Sequence, residues 1–381
     1  MTPHRFGQHG RLPNPTPGSN LPRKVSSQSL QGHEMRAALF EEFRKPLVLR
    51  DVPDPRCPPD GVVVAVAACG VCRSDWHGWK GADPDVAPPH VPGHEFAGTV
   101  VEVGPGCRHF RKGDRVTAPF IIACGDCPDC RSGDPTVCNQ QFVLGFSAWG
   151  AFAQFAAVPH ADFNLVRLPD TIGFAEAAAM GCRLTTAFRG IVDRANLRPG
   201  EWLAVHGCGG VGLSAIMVAA AIGAQIVAVD VNEDALALAR DLGATKILNA
   251  GGSQDVAEDV RALTDGGAHV SVDALGITAT FHNAIRSLRK LGRHVQIGMP
   301  LEQHASPIIP LLETVYSRQI SIMGTRGIPA SRFPAILGMI GAGRLDPAKL
   351  VTRRIELGEA GAALAALDRF QGAGVTVIDR F

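Results

Sequence analysis

The stretch CGDCPDCRSGDPTVC places Cys124, Cys127, Cys130 and Cys138 at the spacing C-x2-C-x2-C-x7-C. Thiolates two residues apart can reach one ion, and a nearby fourth closes a tetrahedral site with Zn–S distances of ~2.3 Å. A site closed by four thiolates leaves no room for a substrate, so its role is structural. It folds a loop that has too few apolar residues to order itself. Four ordinary reduced cysteines and an iron–sulfur cluster are the other readings of this spacing.

A second set of ligand types is spread along the chain. GVCRSDWH (70–77) packs Cys72, Arg73, Ser74, Asp75 and His77 together, VPGHEFAG adds His94 and Glu95, and MGCRLTTA adds Cys182. Cys, His and Cys make a three-ligand set that leaves a fourth position for water or substrate. Two thiolates would neutralise a zinc ion, so such a site could be buried without a large net charge. Singly, each residue has a plainer reading: Cys182 as core filler, His94 as a turn residue.

VHGCGGVGLSA follows one apolar strand and opens a helix, with Gly207, Gly209 and Gly212 in the pattern G-x-G-x-x-G and Gly210 and Val211 between them. The first glycine makes the tight turn, the second lets backbone approach a pyrophosphate, and the third lets helix pack on strand. The helix start offers free N–H groups and a favourable dipole. A purely structural turn is the alternative in a glycine-rich chain. Asp230 ends the next strand, QIVAVD, where a carboxylate binds ribose hydroxyls and repels a 2′-phosphate; Val231 and Asn232 supply no arginine to welcome one. The pattern favours NAD over NADP. Cys208 reads as a small side chain packed under the turn, the alternative being an oxidation-sensitive thiol.

The elements that must carry these groups fall into two rhythms. From Met35 to about Cys182, short apolar runs such as GVVVAVAACG, EFAGTVVEVGPG and FAQFAAVP are broken by Gly and Pro, which predicts an antiparallel, barrel-like β domain. From about Glu201 the chain alternates apolar strands (WLAVHG, QIVAVD, KILNA, VSVDAL, HVQIGM, ISIMG) with helices at Val211–Ile222, Glu233–Leu242 and Thr278–Leu288. That alternation predicts a doubly wound parallel sheet. From about Arg326, two helices and the strand GVTVID are expected to return to the first domain.

The chain has 381 residues, room for two domains, with 19% charged residues and a net charge of +1. No basic stripe is present, which argues against nucleic-acid binding. The uncharged run 202–229 is broken by glycines, and its helix is too short for a bilayer of ~30 Å. Residues 1–34, rich in Pro, Gly, Ser, Gln and Asn, read as a disordered tail, with Met35 as the start of patterned chain. The N-terminus shows no apolar segment of a secretory signal. Ten cysteines without one suit metal sites or reduced thiols in the cytoplasm.

Taken together, GVCRSDWHGW, PGHEFAGTVVEVG, the cysteine lobe, WGAFAQFAAVP, GCRLTTA and GCGGVG…D make the chain resemble, from Met35 to Phe381, the zinc-dependent alcohol dehydrogenases of the medium-chain dehydrogenase/reductase superfamily. The resemblance implies an α/β chain: a GroES-like β-rich catalytic domain (35–182, with a zinc lobe at 120–140), a Rossmann-type NAD-binding domain (183–325) and a C-terminal return (326–381). It implies two zinc ions per subunit, NAD, and a homodimer or homotetramer acting on a small alcohol or aldehyde. Cys72, His94 and Cys182 would hold the catalytic zinc, and Cys124, Cys127, Cys130 and Cys138 the structural one. Glu95 would lie behind the metal and Asp75 would orient His94. Ser74 would touch the alcohol oxygen and lead a proton relay to His77. Arg73 would meet the pyrophosphate, Thr186 would pack near the nicotinamide, and Gly298 would complete the cofactor site. Zinc would lower the pKa of a bound hydroxyl from ~16 towards ~7, so that the alkoxide can release hydride to NAD. A polyol or amino-alcohol dehydrogenase of the same superfamily and a catalytically silent NAD-binding protein are the competing readings; a carboxylate at the Cys182 position, common in polyol-active relatives, is absent. The phosphate-gripping arginine that some relatives carry near the C-terminus is missing from GAGVTV (372–377), with Arg380 three residues beyond. Phe142, Phe146, Trp149, Trp79, Phe120 and Met299 are candidates for an apolar pocket, with core packing the alternative.

Overall fold

A computed structural model of the chain describes residues 34–369 and 373–381. The expected tail therefore lies outside the described residues except at Glu34, which already belongs to a strand paired with Val48–Pro53.

The first sheet is built on β1 (Val62–Val71), a ten-residue strand buried along nearly its whole length, with sheet neighbours on both edges. After the short helix α1 (Arg73–Lys80) come β2 (Glu95–Val103), β3 (Arg115–Thr117), β4 (Phe155–Val158) and β5 (Val166–Arg167). β2 and β4 both pair antiparallel with β1, and β3 and β5 extend the sheet beyond β2. The β1–β2 register sets Gly70 opposite Glu95, so the exit of β1 and the entry of β2 meet at one corner. A helical segment then starts with α2 (Phe174–Ala179) and continues to Arg194, with a kink where Gly181 leaves helical geometry (φ −19, ψ −106).

The second sheet follows as β6 (Trp202–His206), α3 (Gly210–Ile222), β7 (Gln225–Asp230), α4 (Glu233–Asp241), β8 (Lys246–Asn249), α5 (Val256–Leu263), β9 (Ala268–Asp273), α6 (Thr278–Arg286), β10 (Leu288–Gln296) and β11 (Ser321–Gly324). Its order is β8-β7-β6-β9-β10-β11 with every neighbour parallel, a doubly wound sheet. The order reverses between β6 and β9, and the loops after those two strands flank the crevice where such sheets bind ligands.

Two strands end earlier than their apolar runs suggest. β9 stops at Asp273 because the Asp273 carboxylate accepts the Leu275 and Gly276 N–H groups and turns the chain out. β10 stops at Gln296 because the Ile297 and Gly298 N–H groups turn back to the Asp273 carbonyl. Asp273 is invisible to a count of apolar residues. Arg289, Lys290 and Leu291 in the first half of β10 are exposed, so its apolar run shows only towards the end of the strand.

The chain returns to the first sheet through β12 (Val351–Glu356) and β13 (Val375–Arg380). β13 pairs antiparallel with β1, Val377 opposite Gly70 and Thr376 opposite Val71. The end of the chain thus buttresses the strand that leads into Cys72. Among the described residues no helix is long and apolar enough to cross a membrane.

Candidate active site

Cys72 leaves β1 and is the N-cap of α1. Its backbone N–H donates to the carboxylate of Asp75, which also accepts from the Gly93 N–H, both at 3.0 Å. The same carboxylate takes Nδ1–H of His94 at 2.8 Å, with both side chains fully buried. Asp75 therefore fixes three things together: the start of α1, the turn before β2, and the plane of the His94 ring. The ring is braced edge-on by Phe146 and Phe120, at centroid distances of 5.3 and 5.9 Å.

Cys182 arrives from the kinked helical segment. Its Sγ, Cys72 Sγ, a His94 ring nitrogen and a Glu95 oxygen all lie within 4.8 Å of one another. Glu95 is fully buried, and its oxygens are taken: Oε1 accepts from the Cys182 and Arg183 N–H groups at 3.0 and 3.2 Å and from Arg183 Nε at 3.1 Å, while Oε2 accepts from Arg183 Nη2. Glu95 thus stands behind the cluster as the partner of Arg183. Burial pushes its carboxyl up and the guanidinium pulls it back, so the two are held as an ion pair.

The donor set fits a divalent cation. His94 Nε2 is buried with no hydrogen-bond partner, an expensive state for a polar atom unless something is to sit against it. The Cys182 thiol, donating to Cys72, holds the Cys72 thiol well below its ordinary value, with Arg183 and His94 adding to the effect. The hydrogen bond to Cys72 and burial push Cys182 well up. One thiol of the pair is lowered and the other raised, the pattern of two sulfurs set close enough to share a cation.

Ser74 Oγ lies 3.8 Å from Cys72 Sγ. His77 sits one turn on, its Nδ1 buried and without a partner; burial and the charge of Arg73 pull its pKa down to about 4. Arg73 itself reaches the Leu367 carbonyl at 2.8 Å and lies over the Trp76 ring.

The four lobe cysteines also converge within 4.8 Å of one another. A backbone N–H and neighbouring thiols bring the Cys127 thiol down to about 7, whereas burial and those same neighbours push Cys130 up to about 12. Proton sharing of this kind is expected where four thiols crowd one point.

At the second sheet, Gly207 adopts φ +94 and a side chain at Gly212 would collide with the Gly207 carbonyl. Around Gly209 there is open space, and Gly209 caps α3 with no side chain. By contrast Asn232 and Asp255 cap α4 and α5 through their side chains. The first turn of α3, with Gly210 and Val211, thus keeps N–H groups free for an anion. Asp230 is tied to the loop it follows, accepting the Cys208 N–H at 2.5 Å and those of Val231 and Asn232 at 2.7 and 2.9 Å. The Cys208 side chain is buried and its thiol pushed up by that burial and by Asp230, which suits a packed residue and not a reactive one. Thr186 is buried and accepts the Gly327 N–H at 3.1 Å. Gly298 lies against the Gly276 backbone, where a side chain would collide.

Of the six apolar candidates, Phe120, Phe146 and Trp79 pack in one cluster with Cys182. Phe142 packs against the β-domain core, while Trp149 and Met299 are exposed. An open cavity of about 570 Å³ lies between Val166–Arg167 and the helix Phe333–Gly341, and none of the site residues lines it.

Residues that the spacing did not single out complete both sites. Arg183, within the MGCRLTTA run, is a charge amid small apolar residues, and a buried charge demands a partner. Asp273 also accepts from Thr280 Oγ1 and from Gln296 Nε2, and that same amide group reaches the Gly298 carbonyl. This network holds the two loops at the crevice together.

Residues 58–170 match a family model described as alcohol dehydrogenase GroES-like domain, and residues 210–341 one described as zinc-binding dehydrogenase. The chain is similar to an alcohol dehydrogenase of Geobacillus stearothermophilus, 38% identical over 295 residues that cover 77% of this chain and 86% of the relative. It is 35% identical to an NAD-dependent alcohol dehydrogenase of Sulfurisphaera tokodaii, over 90% of this chain and 99% of that one. Among solved structures, an alcohol dehydrogenase from Thermus sp. ATN1 matches with a TM-score of 0.83 at 34% identity, covering 91% of this chain and all 100% of that one.

Proposed function

The chain belongs to the zinc-dependent alcohol dehydrogenases of the medium-chain dehydrogenase/reductase superfamily, and from that premise we propose how its own residues divide the work. It is an NAD-dependent enzyme that interconverts an alcohol and an aldehyde or ketone. The reading rests most on one observation: Cys72, His94 and Cys182 converge around a buried imidazole nitrogen without a partner.

Cys72, His94 and Cys182 would hold the catalytic zinc, and Cys124, Cys127, Cys130 and Cys138 a second ion, giving two per subunit. When bound, the catalytic ion supplies Lewis acidity that makes a hydroxyl beside it easier to deprotonate. Asp75 keeps the His94 proton on Nδ1, so that Nε2 presents its lone pair to the cluster. Ser74, next to Cys72, would accept the substrate proton while giving its own hydroxyl proton towards His77, which burial and Arg73 keep neutral and which would release it to water. Phe120, Phe146 and Trp79 wall the site with apolar surface, which favours a simple alcohol over a polyol.

NAD would lie with its pyrophosphate on the uncapped start of α3 and its adenosine ribose at Asp230, whose charge disfavours NADP. Thr186 and Gly298 would border the nicotinamide. The parts 35–182, 183–325 and 326–381 would act as catalytic domain, NAD-binding domain and returning segment. Subunits would pair through the edge strand β11, where Ile322 is exposed, as are Ile308, Leu311, Leu312 and Tyr316 in the segment before it. Cysteines that hold metal or stay unpaired, with no disulfide among the described residues, suit a reducing cytoplasm.

The test is zinc content per subunit together with nicotinamide reduction across primary, secondary, aromatic and polyol alcohols, with NAD and NADP in parallel. Two zinc ions and fastest turnover of a simple alcohol with NAD are expected. One zinc, a polyol preference or a preference for NADP would each overturn the corresponding assignment.

A further inference from the structure

The Arg183 side chain touches every segment that carries a proposed ligand of the inner metal site. It follows Cys182 directly, its guanidinium pairs with Glu95 next to His94, and its Nη1 donates at 3.2 Å to the carbonyl of Val71, the residue before Cys72. Its stem runs on to the dinucleotide loop. A Cβ at Gly210 would stand 2.5 Å from Arg183 Cδ and 3.2 Å from Nη1. Gly210 is the first residue of α3, whose free N–H groups face the proposed phosphate position. The neighbouring Gly209 has nothing within 4 Å of such a Cβ. One buried side chain therefore spans the cluster and the glycine loop. It cannot swing aside, because both ends of its guanidinium are fixed by Glu95 and Val71.

We propose that Arg183 is a positioning residue that couples the two sites, so that nucleotide seated on the glycine loop slows loss of the metal from Cys72, His94 and Cys182. The proposal rests on the site assignments made above. Seating an anion on the first turn of α3 fixes Gly210. A fixed Gly210 holds the Arg183 stem, and the guanidinium then holds Glu95, the Cys182 and Arg183 N–H groups and the Val71 carbonyl in place. By linkage, bound metal should tighten nucleotide binding by the same factor.

The test follows zinc release to a chromogenic chelator from the holoenzyme, with and without saturating NADH, and NADH binding by fluorescence. In the wild type NADH should slow one phase of zinc release by about tenfold. Arg183→Lys keeps the charge beside Glu95 but not the two-pronged contact, and the NADH effect on that phase should fall below about twofold. Gly210→Ala displaces the stem from the nucleotide side and should speed that phase without nucleotide, whereas Gly209→Ala should leave it unchanged. An NADH effect that survives both Arg183→Lys and Gly210→Ala would overturn the proposal. So would a wild-type enzyme that holds zinc and binds NADH yet releases zinc at one rate throughout. A wild type that holds no zinc or does not bind NADH would instead sink the site assignments themselves.

Discussion

The molecule carries two cysteine clusters that differ in how they are supported. The outer cluster draws its four thiols from fifteen consecutive residues, and Cys124 and Cys127 are partly exposed. Backbone N–H groups reach its sulfurs, buried Asn164 clamps the backbone of Ala123 just before Cys124, and the ion pair beside it, Arg131–Asp126, is exposed. The inner cluster draws three ligands from positions 72, 94 and 182 and embeds them in a buried network of Asp75, Glu95 and Arg183. A loop that needs only to stay folded can rely on the ion itself. A site that must keep one coordination position open has to fix its ligands by other means, and the buried carboxylates do so.

The largest effect should separate the two clusters by function. His94→Ala should cut turnover by about a thousandfold or more and remove one equivalent of zinc. Cys127→Ser should leave turnover of the folded enzyme within about a factor of three and lower its melting temperature instead. If both variants lost activity to the same degree at a temperature where both are folded, the division into a working and a supporting cluster would fail. Next in size is the buried ion pair. Glu95→Gln leaves Arg183 buried without a counter-charge, which should cost about 3–5 kcal/mol in urea unfolding of the zinc-loaded protein. Asp75→Asn cannot accept the Nδ1 proton as a carboxylate does, and should weaken zinc affinity or turnover by about 10- to 100-fold. Unchanged zinc affinity and turnover in Asp75→Asn would mean that the His94 ring is held by Phe120 and Phe146 alone.

How legible each cluster was in the chain follows from the same difference. The outer ligands lie close enough for spacing alone to identify them, and the glycine loop was legible for the same reason. The inner ligands could be named only by combining three distant segments, and their meeting depends on the β1–β2 register that sets Gly70 against Glu95. Arg183 was not singled out, although a charge in an apolar run was the signal for it. Its pairing was not legible, because Glu95 lies 88 positions away and only the folded helix brings them together. The ends of β9 and β10 escaped detection because hydrogen bonds accepted by Asp273, at its carboxylate for β9 and at its backbone carbonyl for β10, set them. The aromatic candidates divided by packing, since proximity in sequence to a ligand does not say which way a ring faces.

Burial without a charge partner makes a third case. His206 at the end of β6 is buried beneath the glycine loop, its Nε2 at 3.3 Å from Ser287 Oγ, and burial followed by His294 pulls its pKa down to about 3. Between that value and the unfolded value of about 6.5, the unfolded chain binds a proton that the folded chain refuses. Stability is therefore intact above about pH 6.5 and lost as the pH falls, by about 2 kcal/mol for this residue at pH 5. His206→Gln should shrink the drop between pH 7 and pH 5 by that amount in urea titrations. An unchanged drop would show that other groups carry the acid sensitivity.

The smallest effect is expected at the ion pair of the outer cluster. Arg131 Nη2 approaches Asp126 at 2.5 Å, but the two side chains are 70% and 83% exposed. Geometry alone would rank this contact with the one between Arg183 and Glu95. Exposure reverses that ranking: water solvates both partners when they separate, so little is lost, and salt screens what remains. Arg131→Ala should therefore leave the unfolding midpoint almost unchanged, with no measurable change in zinc content. Unfolding curves in low and high salt give the decisive comparison. If Arg131→Ala proved as costly as Glu95→Gln, the outer cluster would depend on its protein surroundings as much as the inner one, and the contrast between them would reduce to the number of sulfurs.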